Sequence, residues 1–142
     1  MKRLALGLSM LLAGCGGDST AVGGGAPEVG FARINEDILL PKCTFACHSG
    51  GEFAAGGLDL ELDPRGALVE QNATAAVCSG GDARRVVPFE PEESLLYQKI
   101  MAKLDGVAAP CGDAMPPGVN EPGLSEEEAE LVRIWIQNGA TE

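Results

Sequence analysis

Residues 43–48 read Cys43-Thr44-Phe45-Ala46-Cys47-His48. This short stretch contains two thiols and the only histidine of the chain. The other three cysteines are isolated from one another in the sequence, so no second stretch concentrates reactive side chains in this way. We therefore expect the rest of the chain to form the surroundings of residues 43–48.

Two cysteines followed directly by a histidine are typical of covalent haem attachment, for which the usual pattern is C-x-x-C-H. In that pattern each thiol forms a thioether with a vinyl group of the haem, and the histidine ligates the iron. This chain has one more residue between its cysteines, which gives C-x-x-x-C-H. The motif predicts one haem c, attached through Cys43 and Cys47 with His48 as an axial ligand.

Composition is consistent with a single domain that contains such a group. The chain has 142 residues, of which only 4% are aromatic, and a haem would supply the large apolar plate that a core of this size otherwise lacks. The formal net charge of −11 disfavours binding to nucleic acid or to an anionic membrane surface. If the negative charge attracts a protein partner, that partner would carry a basic surface. Alternatively, the acidic surface of this chain serves only its solubility.

The first residues are typical of an export signal. Lys2 and Arg3 precede a short apolar run that is too short to span a bilayer, and residues 12–15 resemble a bacterial lipobox. We predict a lipoprotein signal peptide at 1–14, lipidation of Cys15, a flexible glycine-rich tether at 15–27, and one domain at 28–142. Gly16, which follows Cys15, favours delivery to the outer membrane over retention in the inner membrane. The alternative to a lipoprotein is ordinary secretion with cleavage nearby. An exported chain can form disulfides.

Apolar periodicity predicts helices at residues 28–40, 64–70 and 91–104, and a last helix that begins at Ser125. Pro41 should stop the first helix. Asp63 is the expected N-cap of the second, while Ser125 is expected to form a capping box and Gly139 to end the last helix. Alternating leucines at 58–62 predict a short extended segment with one buried face, and residues 84–88 another extended piece.

The sixth iron position requires a second ligand, and the chain has no second histidine. Once the signal peptide is removed, Met101 and Met115 are the remaining methionines. Met101 lies in a helical apolar stripe, where methionine is usually core filler. Met115 lies in a proline-braced loop that could aim its thioether at a fixed point. We predict Met115 as the ligand; an ordinary loop methionine or an open iron site are the alternatives.

With these residues in view, the chain resembles a small c-type cytochrome, and more closely the planctomycete-type cytochrome c domain found in exported proteins. The resemblance covers nearly all of the mature domain. It rests on residues 43–48, 57–60, 85–88 and 92–97, 115–117, and 124–126 leading to 135–140. It implies a mostly α-helical fold with packed N- and C-terminal helices around one haem, histidine/methionine ligation, and electron transfer to redox partner proteins.

Three pairs of residues remain after these assignments. Cys78 and Cys111 are expected to form a disulfide that closes a loop before Met115, and two unpaired cysteines are the alternative. Arg84 and Arg85 are candidates to pair with the haem propionates, although both could be solvated surface residues. Trp135 and Tyr97 are either haem-edge or plain core residues.

Other readings of the motif stay open. Cys43 and Cys47 could belong to a disulfide framework, or bind zinc with His48 and a fourth ligand. We expect a carrier of single electrons rather than an enzyme. The alternatives are a haem-based sensor with an open distal site and a non-haem, disulfide-stapled lipoprotein.

Overall fold

Helices form the regular secondary structure of the part of the chain that the structure describes. The structure is a computed structural model that covers residues 28–45, 47–78, 80 and 82–142. The predicted signal peptide, the tether and the lipidation site Cys15 lie outside these residues. Within the covered ranges no β-strand is present, and only two isolated bridges occur, Val69 with Val86 and Asn72 with Arg84. The prediction of a mostly α-helical chain is confirmed at this level.

The described residues contain four α-helices, which are α1 Phe31–Ile34, α2 Pro64–Leu68, α3 Leu95–Asp105 and α4 Glu126–Gln137. Helix α1 continues directly into a π-helix, Asn35–Thr44, whose hydrogen bonds close over five residues instead of four. Three single 3₁₀ turns complete the helical elements, at Gly51–Phe53, Ala55–Gly57 and Pro91–Glu93. No helix of the described residues is long and apolar enough to cross a membrane.

The first and last helices pack against each other, as the sequence predicts. The ring centroids of Phe31 and Trp135 lie 5.4 Å apart and the ring planes are tilted by 43°. Both side chains are buried, and the Trp135 indole nitrogen donates to the carbonyl oxygen of Thr141 at 2.9 Å. A salt bridge of 2.6 Å between Lys42 and Glu128 ties the end of the π-helix to the start of α4. The two termini of the domain therefore form one side of the core.

Apolar side chains from every α-helix meet in this core. The large side chains with no exposed surface are Ile34, Ile38, Leu39, Leu68, Val86, Val132, Trp135 and Ile136. Each side chain of this size contributes about 1.5–3 kcal/mol when it is fully buried. Ile38 and Leu39 belong to the π-helix, so the burial of its inner face holds that helix in the common core.

The predicted helix caps are present. The Ser125 hydroxyl accepts from the Glu128 backbone N–H at 3.2 Å, and the Glu128 carboxylate accepts from the Ser125 N–H at 2.8 Å, which completes a capping box. The Asp63 carboxylate accepts from the Gly66 N–H at 2.9 Å. Gly139 lies one residue beyond the C-cap of α4 with φ +91°, a conformation that favours glycine.

The prediction that Pro41 ends the first helix is wrong. The helix continues to Thr44, with Pro41 exposed inside its π-helical part. In an α-helix a proline ring strikes the carbonyl four residues earlier. The wider π-helical turn pairs residues five apart, so that carbonyl is displaced from the ring and the helix continues.

The predicted helix at 91–104 is divided, and the extended segment at 58–62 does not have the predicted buried face. Ser94 is extended between the 3₁₀ turn and α3, because its buried hydroxyl donates to the Glu90 carbonyl at 2.9 Å and accepts from the Val87 N–H at 2.8 Å. Leu60 is buried but Leu62 is 93% exposed. No neighbouring strand among the described residues imposes a regular alternation on that segment.

Candidate haem-attachment site

A cavity of about 360 Å³ lies between the π-helix, α3 and the loop that contains Met115. Its walls are mainly aliphatic, with contributions from Leu39, Leu58, Leu68, Leu96, Ile100 and Val132. Cys43, Cys47, His48 and Met115 also line this cavity, although His48 and Met115 are 67 positions apart in the chain. A concave apolar site with a few convergent polar groups is the usual form of a cofactor pocket.

His48 is held in one orientation by the backbone around it. Its N–H donates to the carbonyl oxygens of Cys43 and Thr44, at 3.1 and 3.0 Å, and its own carbonyl accepts from Leu60 at 2.8 Å. In the ring, Nδ1 lies 3.2 Å from the carbonyl oxygen of Leu58. A carbonyl only accepts, so Nδ1 carries the proton and Nε2 keeps a lone pair in the neutral ring. That tautomer is the one that ligates a metal through Nε2.

The surroundings of His48 also favour the neutral ring. Burial lowers its pKa below the ordinary value, and the positive charges of Arg85 and Lys99 act in the same direction, whereas the hydrogen bonds to Leu58 and Ala55 oppose the shift. An imidazole must be unprotonated at the coordinating nitrogen to bind iron. The pKa shift therefore increases the fraction of His48 that is ready to ligate near neutral pH.

Cys43 and Cys47 are free thiols in the structure. The Cys43 sulfur lies 3.9 Å from the carbonyl oxygen of Ile38, within the π-helix. Burial, together with a smaller contribution from Cys47 and against an opposing effect of Lys42, raises the pKa of Cys43 to about 11. Cys43 is therefore a neutral thiol at physiological pH, which disfavours the thiolate chemistry of a zinc site or of disulfide exchange.

Helix α3 holds the loop that contains Met115. The Met115 N–H donates to the carbonyl oxygen of Lys99 at 3.1 Å. The Lys99 ammonium donates to the carbonyl oxygens of Asp113, at 2.8 Å, and Cys111. One helical turn later, the Lys103 ammonium donates to the carbonyl oxygen of Gly118. Two lysines of one helix face therefore fix both ends of this loop.

The predicted disulfide between Cys78 and Cys111 is present. It joins residues 33 positions apart, and Cys78 also lines the cavity. In the chain-entropy account a bridge over such a loop stabilises the fold by about 3–4 kcal/mol. It ties the start of the Met115 loop to the cavity-lining segment that contains Cys78. The pairing also removes both cysteines as candidates for the fourth ligand of a zinc site.

The two arginines have different surroundings. Arg84 forms a 3.8 Å ion pair with Glu70, away from the cavity. Arg85 lines the cavity and donates to the carbonyl oxygens of Ala67 and Gly57 at 2.9 and 3.1 Å. Among the described residues Arg85 has no carboxylate partner, and burial lowers its pKa. A guanidinium on an apolar wall is a favourable position for an anionic group of a ligand.

Some parts of the site were not expected from the sequence. Lys99 and the carbonyl oxygen of Leu58 were not among the predicted site residues, although each one orients a predicted ligand. A recognisable signal for Lys99 is its position one turn before Lys103 on a helix that precedes a glycine- and proline-rich loop. Trp135, considered for the haem edge, lies in the core against Phe31 and does not line the cavity.

Comparison with protein-family models, with curated proteins and with solved structures finds no match to this chain. Among the described residues, no three histidine, cysteine, aspartate or glutamate side chains group together in a way that could hold a metal ion.

Proposed function

We propose that this protein binds one haem c covalently and carries single electrons, as a cytochrome c-like domain. The observation that carries this proposal is that one apolar cavity is lined by two thiols, the only histidine and Met115. These residues come from two regions of the chain that are far apart in sequence. The C-x-x-x-C-H motif supplies one set of groups, and the loop held by α3 supplies the other.

The residues present fit the group. The Cys43 and Cys47 thiols would add across the two vinyl double bonds of the haem, each sulfur bonding to one carbon and the thiol hydrogen passing to the other, without net oxidation. His48 would ligate the iron through Nε2, because Nδ1 is engaged with the Leu58 carbonyl. When bound, haem supplies the Fe(II)/Fe(III) couple that makes one-electron transfer possible.

Met115 would provide the second axial ligand. Its backbone is anchored to Lys99, which limits how far the thioether can move from the cavity. Ligation by histidine and methionine raises the reduction potential of haem relative to harder ligand sets. A fixed methionine would also keep small molecules from the iron. This favours an electron carrier over the sensor with an open distal site.

Arg85 would neutralise a haem propionate at the cavity wall. Its guanidinium is committed to backbone carbonyls on one side and has no carboxylate partner among the described residues. Its position agrees with the expectation for an arginine that pairs with propionate, whereas Arg84 is already paired with Glu70. Only Arg85 of the two is therefore proposed for this role.

The cellular setting is proposed from the sequence. The lipobox-like residues 12–15 and the following tether suggest an exported lipoprotein, anchored through Cys15 on the periplasmic side or at the outer membrane. The strongly acidic composition favours redox partner proteins with basic docking surfaces, and disfavours nucleic acid. We propose a carrier that passes electrons between such partners, and not an enzyme.

A reduced-minus-oxidised absorption spectrum of the purified exported protein tests this function. Sharp c-type bands that do not change on addition of carbon monoxide would support the six-coordinate carrier. A shift of the bands with carbon monoxide would replace it with the open-site sensor. The absence of haem absorption would overturn both and leave the disulfide-stapled lipoprotein.

A further inference from the structure

The π-helix reaches directly into the haem motif. Three contacts span five residues: the Thr44 hydroxyl donates to the Leu39 carbonyl at 3.0 Å, the Cys43 thiol lies 3.9 Å from the Ile38 carbonyl, and the His48 N–H donates to the Cys43 carbonyl at 3.1 Å. The His48 N–H is shared with the Thr44 carbonyl, four residues earlier, at 3.0 Å. π-helices usually occur as single turns, often at functional sites, whereas this one covers ten residues.

The five-residue winding changes the effect of the additional residue between Cys43 and Cys47. In C-x-x-C-H the histidine follows the first cysteine by four residues, or about 1.1 turns of an α-helix. Five residues of α-helix would cover about 1.4 turns and rotate the histidine about 100° further from the cysteine. The π-helix itself ends at Thr44, and the bond from the His48 N–H to the Cys43 carbonyl closes one further turn over five residues. A π-type turn holds about one more residue than an α-helical turn, so five residues wound in this way again make about 1.1 turns.

We infer that the π-helical winding is what allows the C-x-x-x-C-H spacing to hold a haem, and that Thr44 is the positioning residue that maintains it. This inference rests on the proposed function. The winding presents Cys43 and His48 to the same cavity at the relative rotation that the shorter motif has in an α-helix. The additional residue is absorbed by the helix and does not displace either thiol from its vinyl partner.

Thr44 is suited to this role by its burial and by its hydrogen bond. It is only 1% exposed, and its hydroxyl is satisfied by the carbonyl oxygen five residues earlier. Removing the hydroxyl would leave the Leu39 carbonyl without this donor in a buried position, which favours a return to four-residue pairing. Pro41 supports the same winding, because an α-helix would bring its ring against the carbonyl of Asp37.

For deletion of Phe45, the π-helical winding predicts the opposite of what the C-x-x-C-H pattern alone would predict. Deletion of Phe45 converts the motif to the common C-x-x-C-H, which by pattern should attach haem at least as well. If the preceding winding is π-helical, the deletion instead rotates His48 away from Cys43. Phe45 is 78% exposed, so its side chain contributes little to packing, and Phe45→Ala is the matched control with unchanged spacing.

The experiment compares five full-length proteins exported beside a haem maturation apparatus: wild type, the Phe45 deletion, Phe45→Ala, Thr44→Val and Thr44→Ser. Covalent haem per chain is measured after denaturation, and the absorption band of the pyridine complex distinguishes haem with two thioethers from haem with one. Circular dichroism and the presence of the Cys78–Cys111 disulfide report folding. The Thr44 pair keeps the motif intact, so it separates the winding from recognition of the motif by the apparatus.

We expect full loading for wild type, Phe45→Ala and Thr44→Ser. Loading should fall by about tenfold or more in the deletion, as is typical when reacting groups are misplaced by about 1 Å. Thr44→Val should accumulate singly attached haem, which a merely less stable protein would not do. If the deletion variant does not fold, the test is the ratio of singly to doubly attached haem. We expect this ratio to be higher in Thr44→Val than in Thr44→Ser.

Each remaining outcome is decisive. Full double attachment in a folded deletion variant, or in Thr44→Val, would overturn the role of the π-helix while leaving the electron carrier intact. A wild-type protein without covalent haem would overturn the proposed function itself, and this inference with it.

Discussion

The Nδ1 nitrogen of His48 lies 3.2 Å from the carbonyl oxygen of Leu58. This contact is possible because the intervening chain folds back on the motif, with the Ala55 N–H donating to the Cys47 carbonyl at 2.9 Å. The backbone thus fixes both the tautomer and the orientation of the ring before any cofactor is present. A preoriented ligand reduces the freedom that is lost on binding.

Replacement of Met115 by alanine should remove the second axial ligand. We expect the midpoint potential to fall by roughly 100 mV, within the range of about 0.8 V over which axial ligands set haem potentials. Met101→Ala is the matched control, because Met101 packs against the core and does not line the cavity. Potentiometric titration of both variants gives the comparison. Equal potentials for Met115→Ala and wild type would remove Met115 from the ligand set.

Lys99→Met should loosen the Met115 loop without altering the ligand itself. The ammonium holds two loop carbonyls, so its loss should increase the fraction of haem that binds carbon monoxide, by about tenfold or more given a net value of about 1.5–3 kcal/mol for hydrogen bonds to charged groups. Lys42→Met is the control, since Lys42 pairs with Glu128 instead. A carbon monoxide response no larger than in Lys42→Met would show that the loop is held by other contacts.

The paired substitution Cys78→Ala and Cys111→Ala should destabilise the domain. Loss of a bridge over 33 residues should lower the free energy of unfolding by about 3–4 kcal/mol. Urea denaturation of the oxidised wild type and of the double variant measures the difference. Since both cysteines are removed together, no unpaired thiol complicates the comparison. Superimposable unfolding curves would contradict a stabilising role of the bridge.

Alkylation of Cys43 should have an unusual pH dependence in haem-free protein. Burial disfavours the thiolate and raises the pKa of Cys43 to about 11. Because the thiolate is the reactive form, the alkylation rate should keep increasing with pH well beyond pH 9. The full chain with Cys15→Ser and Cys47→Ser isolates this thiol, and the urea-unfolded protein is the control. A rate that levels off at the same pH in folded and unfolded protein would exclude the burial effect.

Local signals in the sequence predict much of the helical framework. The capping box of Ser125 and Glu128, the Asp63 cap and the glycine after α4 each depend on residues within three or four positions. Such contacts are determined largely by the chain segment itself. The proposed ligand residues are chosen by type, because the chain has a single histidine and few methionines, and the structure brings them to one cavity.

The elements that the sequence did not predict depend on distant contacts. The π-helix persists through Pro41 because Ile38 and Leu39 are fully buried in the core, which no local propensity encodes. Ser94 interrupts a helical pattern through hydrogen bonds to the preceding turn. Leu58 acts through its backbone carbonyl, which is the same for every residue type and leaves no trace in a motif. The Lys99 ammonium reaches the carbonyls of Cys111 and Asp113, which only the folded chain brings close to it.

The most direct test of covalent haem binding is the intact mass of the mature protein, exported beside a working haem maturation apparatus. One covalent haem adds about 616 Da to the chain. The account predicts this increment in wild type and its loss when both Cys43 and Cys47 are replaced by serine. A colourless wild-type protein with the mass of the mature chain and its lipid alone would contradict it.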